Sequence, residues 1–89
     1  MASATLTAAS PTNTFTTVTG TIYSLGATGN LGGGQILLES SLPASATVFG
    51  ALNQPISANF FSEYRAPGTS LRVTLQNASA AASVNVEIT

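Results

Sequence analysis

In residues 69–89, TSLRVTLQNASAAASVNVEIT, apolar and polar side chains alternate over two runs that flank a short Asn/Ala/Ser stretch. Successive side chains of a strand point to opposite faces, so a sustained period of two commits a segment to half-buried β-structure and argues against a helix. Leu71, Val73 and Leu75, then Val84, Val86 and Ile88, share an apolar face, with Arg72, Thr74, Gln76, Asn85 and Glu87 opposite. The spacing predicts a terminal hairpin, apolar side inward, closed by a loop over 77–82.

Upstream the pattern is also β-like. FTTVTGTIYS (15–24) is rich in β-branched and aromatic residues and reads as a strand with a Thr-rich, semi-polar face. GATGNLGGG (26–34) has too much glycine for a regular element and reads as a flexible loop; Gln35 and a strand follow it, so it lacks the Lys-Ser/Thr of a phosphate-binding loop. QILLESS (35–41) and ATVFGAL (46–52) are short strands separated by a turn at 42–45, and ISANFFSEYR (56–65) is another. In that last strand Phe61 stands among Ser57, Asn59, Glu63 and Arg65 on an otherwise polar face. Pro67-Gly68 suits a type II turn, predicting a hairpin-like connection at 66–70. Residues 1–13 hold few large apolar groups and read as a flexible arm, leaving 14–89 as one domain. Short strands at regular spacing with no amphipathic helix predict an all-β fold, a small antiparallel β-sandwich or jelly-roll-like barrel.

Such a chain has little core to spare. At 89 residues it buries roughly 60–65% of its unfolded surface, and with no cysteine or histidine it has neither disulfides nor an evident metal site to add stability. Oligomerisation is the natural supplement. Charged residues make up only 6% of the chain, namely Glu39, Glu63, Arg65, Arg72 and Glu87, against about 25% in an ordinary soluble domain. Two arginines are too few for the phosphate contacts on which nucleic-acid binding rests. The start, MASATLTAAS, has no basic segment before an apolar one, and no run approaches the ~18 apolar residues of a membrane span, so a soluble cytosolic product is expected.

Catalysis is poorly supplied. Cys, His, Lys and Asp are all absent, and the three glutamates sit in strand patterns. No cofactor, metal or small-molecule substrate is expected; Glu39 and Glu87 are expected to pair across strands with Arg72 or Arg65 rather than to face each other as a glycosidase pair. Tyr23, Phe61 and Tyr64 are the aromatic side chains that would stack on sugar rings if the chain bound glycans.

From Gly34 to Thr89 the chain resembles small β-sandwich proteins of tailed-bacteriophage virions. The resemblance rests on a Gly-initiated strand ending in Leu38-Glu39-Ser40-Ser41, a Pro-Gly turn, the Leu71-Arg72-Val73-Thr74-Leu75 strand, and the closing Ala82–Ile88 strand. It departs where the pattern often has an Asp-Gly turn and a Trp; here Leu42-Pro43-Ala44 and Val48-Phe49 stand. The resemblance implies a non-enzymatic structural protein, a decoration or cement protein on the capsid surface. Made in the host cytoplasm, it would form a homo-oligomer such as a trimer and bind the major capsid protein. Phe15, Tyr23, Phe61, Tyr64 and Arg65 are the candidate interface residues. A receptor- or glycan-binding module and a tail or neck component are the alternatives. The scarcity of charge fits assembly, because charged residues are the usual defence of exposed sheet edges.

Overall fold

The computed structural model of the chain describes residues 2–42 and 44–89. Its strands are β1 (Ala2–Thr7), β2 (Thr12–Thr16), β3 (Ile22–Asn30), β4 (Gln35–Leu42), β5 (Ser45–Ala51), β6 (Phe60–Arg65), β7 (Ser70–Gln76) and β8 (Ser83–Ile88). They form two four-stranded sheets, ordered β1-β8-β3-β6 (sheet A) and β2-β7-β4-β5 (sheet B). Every pairing is antiparallel, and the first strand pairs with the last, the second with the seventh, the third with the sixth and the fourth with the fifth. The chain is thus one long hairpin rolled over on itself, with β3–β8 and β4–β7 pairs closing each sheet. That nesting is the jelly-roll form of the β-sandwich, and the expected fold class is the one observed.

The core lies between the sheets. Leu6, Leu25, Val84 and Val86 from sheet A meet Ile36, Leu71 and Val73 from sheet B, all essentially without solvent contact. The alternation in β7 and β8 sorts the faces as expected. The two strands do not form a hairpin, however: each is central in a different sheet, and both give their apolar faces to the same core. A period of two fixes which face is buried and leaves the neighbour open. The stretch between them is long enough to cross between sheets, with Asn77 at φ 55° starting the change of direction.

Several other expectations are corrected. The arm expected over 1–13 is instead β1 and the start of β2: β1 pairs along β8 from Ala2↔Ile88 to Thr7↔Ser83, and Leu6 is 1% exposed. One large apolar side chain and a full ladder of backbone bonds fix a segment whose composition is otherwise poor. The strand expected over 15–24 is broken at 17–21, where the chain passes from sheet B to sheet A; Thr17 is buried there and its hydroxyl donates to the Gly68 carbonyl at 2.7 Å. The glycine loop shrinks to a tight turn. β3 runs to Asn30, Gly32 and Gly33 take φ of 62° and 78°, and Gly34 N–H donates to the Leu31 carbonyl at 2.9 Å, as in the turns that need positive φ at both central positions.

Of the strand expected over 56–65, only β6 forms; Ile56 makes an isolated bridge to Ile36 in the other sheet. The connection at 66–70 is likewise a crossing from sheet A to sheet B rather than a hairpin. Gly68 is not among the residues with positive φ, so the bend is not type II; glycine is needed because a Cβ there would run into the Ser41 carbonyl. The same contact explains Ser41, which is buried and whose Oγ accepts the N–H groups of Thr69 and Ser70, both at 3.1 Å. In the turn expected over 42–45, Pro43 lies outside the described residues; Leu42 pairs with Ser45 beside a register shift.

Candidate functional site

With the inner faces filled by apolar side chains, the polar chemistry is on the two outer faces and the edges. On the outer face of sheet B, Arg72 of β7 stands opposite Glu39 of β4. The guanidinium donates from Nε to Oε1 at 3.0 Å and from Nη2 to Oε2 at 3.1 Å, a two-pronged geometry with high directional specificity. Its other side lies over the Phe49 ring of β5, 4.3 Å from the centroid. The bond to Glu39 raises the Arg72 pKa above its ordinary value. This is the pairing expected for Glu39, and it neutralises the face. Beside it Thr12, Thr14 and Thr16 of edge strand β2 form an exposed row, the Thr12 hydroxyl reaching that of Thr74 at 3.4 Å. The Thr-rich surface thus exists, displaced from the positions its sequence suggested.

The outer face of sheet A is arranged differently. Gly26 of β3 is flanked by Glu87 of β8 on one side and by Phe61 of β6 on the other. A Cβ at Gly26 would meet the Phe61 ring carbons at 2.6 and 2.7 Å, so glycine is the residue that lets the ring lean across the strand. Together with Ser24, Thr28 and Glu63 these residues border a groove of about 490 Å³. The Asn85 amide donates to Glu87 Oε1 at 3.0 Å; neither Glu87 nor Glu63 makes an ion pair among the described residues. Glu39 and Glu87 therefore sit on opposite outer faces, unsuited to joint acid/base work, and Glu87 is held by an amide rather than by the arginine expected.

The candidate interface residues divide. Phe61 is 82% exposed and Arg65 is exposed on the same outer face, opposite Ile22. Phe15 is a core residue at 5% exposure and is not available to a partner: the face of β2 that it occupies points inward. Tyr64 is also buried, at 8%. Its hydroxyl has no hydrogen-bond partner of good geometry among the described residues; the hydroxyl of its neighbour Ser40 donates to the Ser41 carbonyl at 3.0 Å. Burial pushes the Tyr64 pKa up, and the proximity of Ser40 offsets part of that rise. Tyr23 packs against the core from a half-buried position, its hydroxyl accepting the Val18 N–H at 2.9 Å. Of the three aromatics considered for sugar stacking, Phe61 alone presents an open ring.

Sequence reading missed Gly26, Glu63 and Glu87 as parts of one groove, since only the register brings them together. It also missed the exposed apolar side chains Val18, Ile22, Leu42 and Val48. No group of three or more potential metal ligands occurs among the described residues. Comparison with protein-family models, with curated proteins and with solved structures finds no match to this chain.

Proposed function

We propose that this chain is a non-enzymatic structural protein of a bacteriophage virion, a decoration or cement protein that works as a homo-oligomer on the capsid surface and bridges major capsid protein subunits. The observation that carries the assembling role is the distribution of charge over the sheet edges. Of the four edge strands, β1, β2 and β5 contain no charged residue, and β6 alone carries any, Glu63 and Arg65. Monomeric sheet proteins protect such edges with charge, proline or bulges; β1 and β2 carry none of these along their length and are left able to pair, while β5 has only the register shift beside Leu42. Backbone hydrogen bonds along an edge, with the exposed Thr row and apolar side chains beside it, supply adhesion between subunits without a ligand pocket. The phage setting comes from the resemblance of residues 34–89, and the jelly roll suits close-packed shells.

The test is particle stability. Purified particles should contain the protein, and particles lacking it should lose infectivity faster under heat or osmotic shock. Equal survival of the two would remove the cement role, and labelling confined to tails would place the protein in a tail or neck instead. The groove beside Phe61 favours one second reading, a glycan-binding module, in which the ring stacks on a sugar and Glu63, Glu87 and Asn85 take its hydroxyls. Saturation-transfer NMR with host-surface glycans should show transfer that F61A abolishes if that reading is right, and none for a cement protein.

A further inference from the structure

The edges named above are mostly indiscriminate; β6 is not. It is the outermost strand of sheet A, its far side makes no backbone hydrogen bond among the described residues, and neither proline nor bulge interrupts residues 60–65. Glu63 and Arg65 stand two residues apart on its outer face, and neither makes an ion pair among the described residues. From this we infer that β6 is a self-recognition edge, pairing antiparallel with β6 of a second copy about a two-fold axis at Tyr64. The inference rests on the assembling role proposed above and names where two copies meet.

The argument is one of register. In an antiparallel pair, residues directly opposite share a face of the sheet. A two-fold axis at Tyr64 sets Glu63 of each copy opposite Arg65 of the other, giving two reciprocal ion pairs on the outer face, as an isologous contact requires. Moving the axis one residue toward the start of the strand sets Glu63 against Glu63, and one residue the other way sets Arg65 against Arg65. Like charges directly opposite oppose pairing, and unlike charges support it. A half-residue shift fails for another reason: it would put the buried Tyr64 opposite an outward side chain. The charges therefore select one register out of those the backbone permits. The result joins two sheets of β1-β8-β3-β6 into one continuous eight-stranded sheet, while the uncharged edges β1, β2 and β5 stay open for other contacts.

Charge reversal tests this directly. Solution mass would be measured by size-exclusion chromatography with light scattering over a concentration series for the wild type, E63R, R65E and the double variant E63R/R65E. Both side chains are exposed, so circular dichroism should show all four folded alike. Each single reversal turns both ion pairs into like-charge contacts and is expected to weaken association about tenfold or more, whereas the double variant restores both pairs and returns association to within about threefold of the wild type. Association should also weaken with salt in the wild type and the double variant. If all four proteins assemble equally, the copies meet elsewhere: the β6 pairing is wrong and the assembling role survives. A double variant as weak as the singles also overturns it, and a wild type that stays monomeric throughout removes both.

Discussion

Leu6 provides the most direct test of how the beginning of the chain is held. It is the only large apolar side chain in β1, opposite Val84 on the inner face of sheet A, and it is 1% exposed. Replacing it with alanine removes three carbons, worth about 2.4 kcal/mol at roughly 0.8 kcal/mol per buried methylene. A cavity term adds to this, within the 2–5 kcal/mol range seen for such truncations, and an edge strand can settle inward, so about 3 kcal/mol is expected. A domain of this size holds only about 4–13 kcal/mol in all. The loss should lower Tm by roughly 12–24 °C, using about 4–8 °C per kcal/mol for small domains. Urea unfolding followed by circular dichroism reads it as a fall in midpoint of about 2–3 M if m is near 1–1.5 kcal/mol/M. Ser3→Ala, on the outer face of the same strand, is the control and should change stability by less than about 0.5 kcal/mol. If Leu6→Ala is as mild as the control, β1 is not packed in solution and residues 1–13 are the free arm their composition suggests.

Ser41→Ala should cost about 2–4 kcal/mol in chemical denaturation, because it strands the Thr69 and Ser70 N–H groups that the hydroxyl now accepts; a loss under about 0.5 kcal/mol would mean that this crossing is not fastened there. Tyr64→Phe should raise stability by about 1 kcal/mol, since it removes a buried hydroxyl without a partner, and a clear loss instead would reveal a bond to Ser40. The raised Tyr64 pKa also sets a pH dependence: its contribution is whole below the ordinary tyrosine value of 10.0 and is lost as pH rises from there through the folded value. Alkaline titrations of stability should therefore be flatter for Tyr64→Phe than for the wild type, and parallel curves would contradict the assignment.

What the sequence made legible was the local pattern. Leu71, Val73 and Leu75 could be placed on a buried face because a period of two leaves no other choice, and the same held for Val84, Val86 and Ile88. Their separation into different sheets could not be read, since alternation carries no information about the neighbouring strand. β1 escaped notice because its place depends on the ladder with β8, which begins at the far end of the chain. The glycines at 26–34 suggested looseness, yet Gly26 serves a close approach and Gly29, at φ 133°, sits where a Cβ would meet the Ser83 carbonyl. Among the aromatics, Phe61 stood out correctly because its neighbours in period two are polar. Phe15 and Tyr64 were misjudged because their burial is decided by strands distant in sequence, and the groove exists only through the register that sets Gly26 between Glu87 and Phe61.

The nested pairing of the strands has a kinetic consequence. β4 ends at Leu42 and β5 begins at Ser45, whereas β3–β6, β2–β7 and β1–β8 each enclose the pair before, so every later contact closes a longer loop. Folding dominated by such distant contacts runs on the order of milliseconds to seconds, and the outermost rung, β1 against β8, is predicted to form last. Throughout that interval β8 has an open flank as free of lysine and proline as the finished edges. The speed with which the two ends of the chain find each other, more than the final stability, would then decide how much of the protein folds and how much joins its neighbours too early.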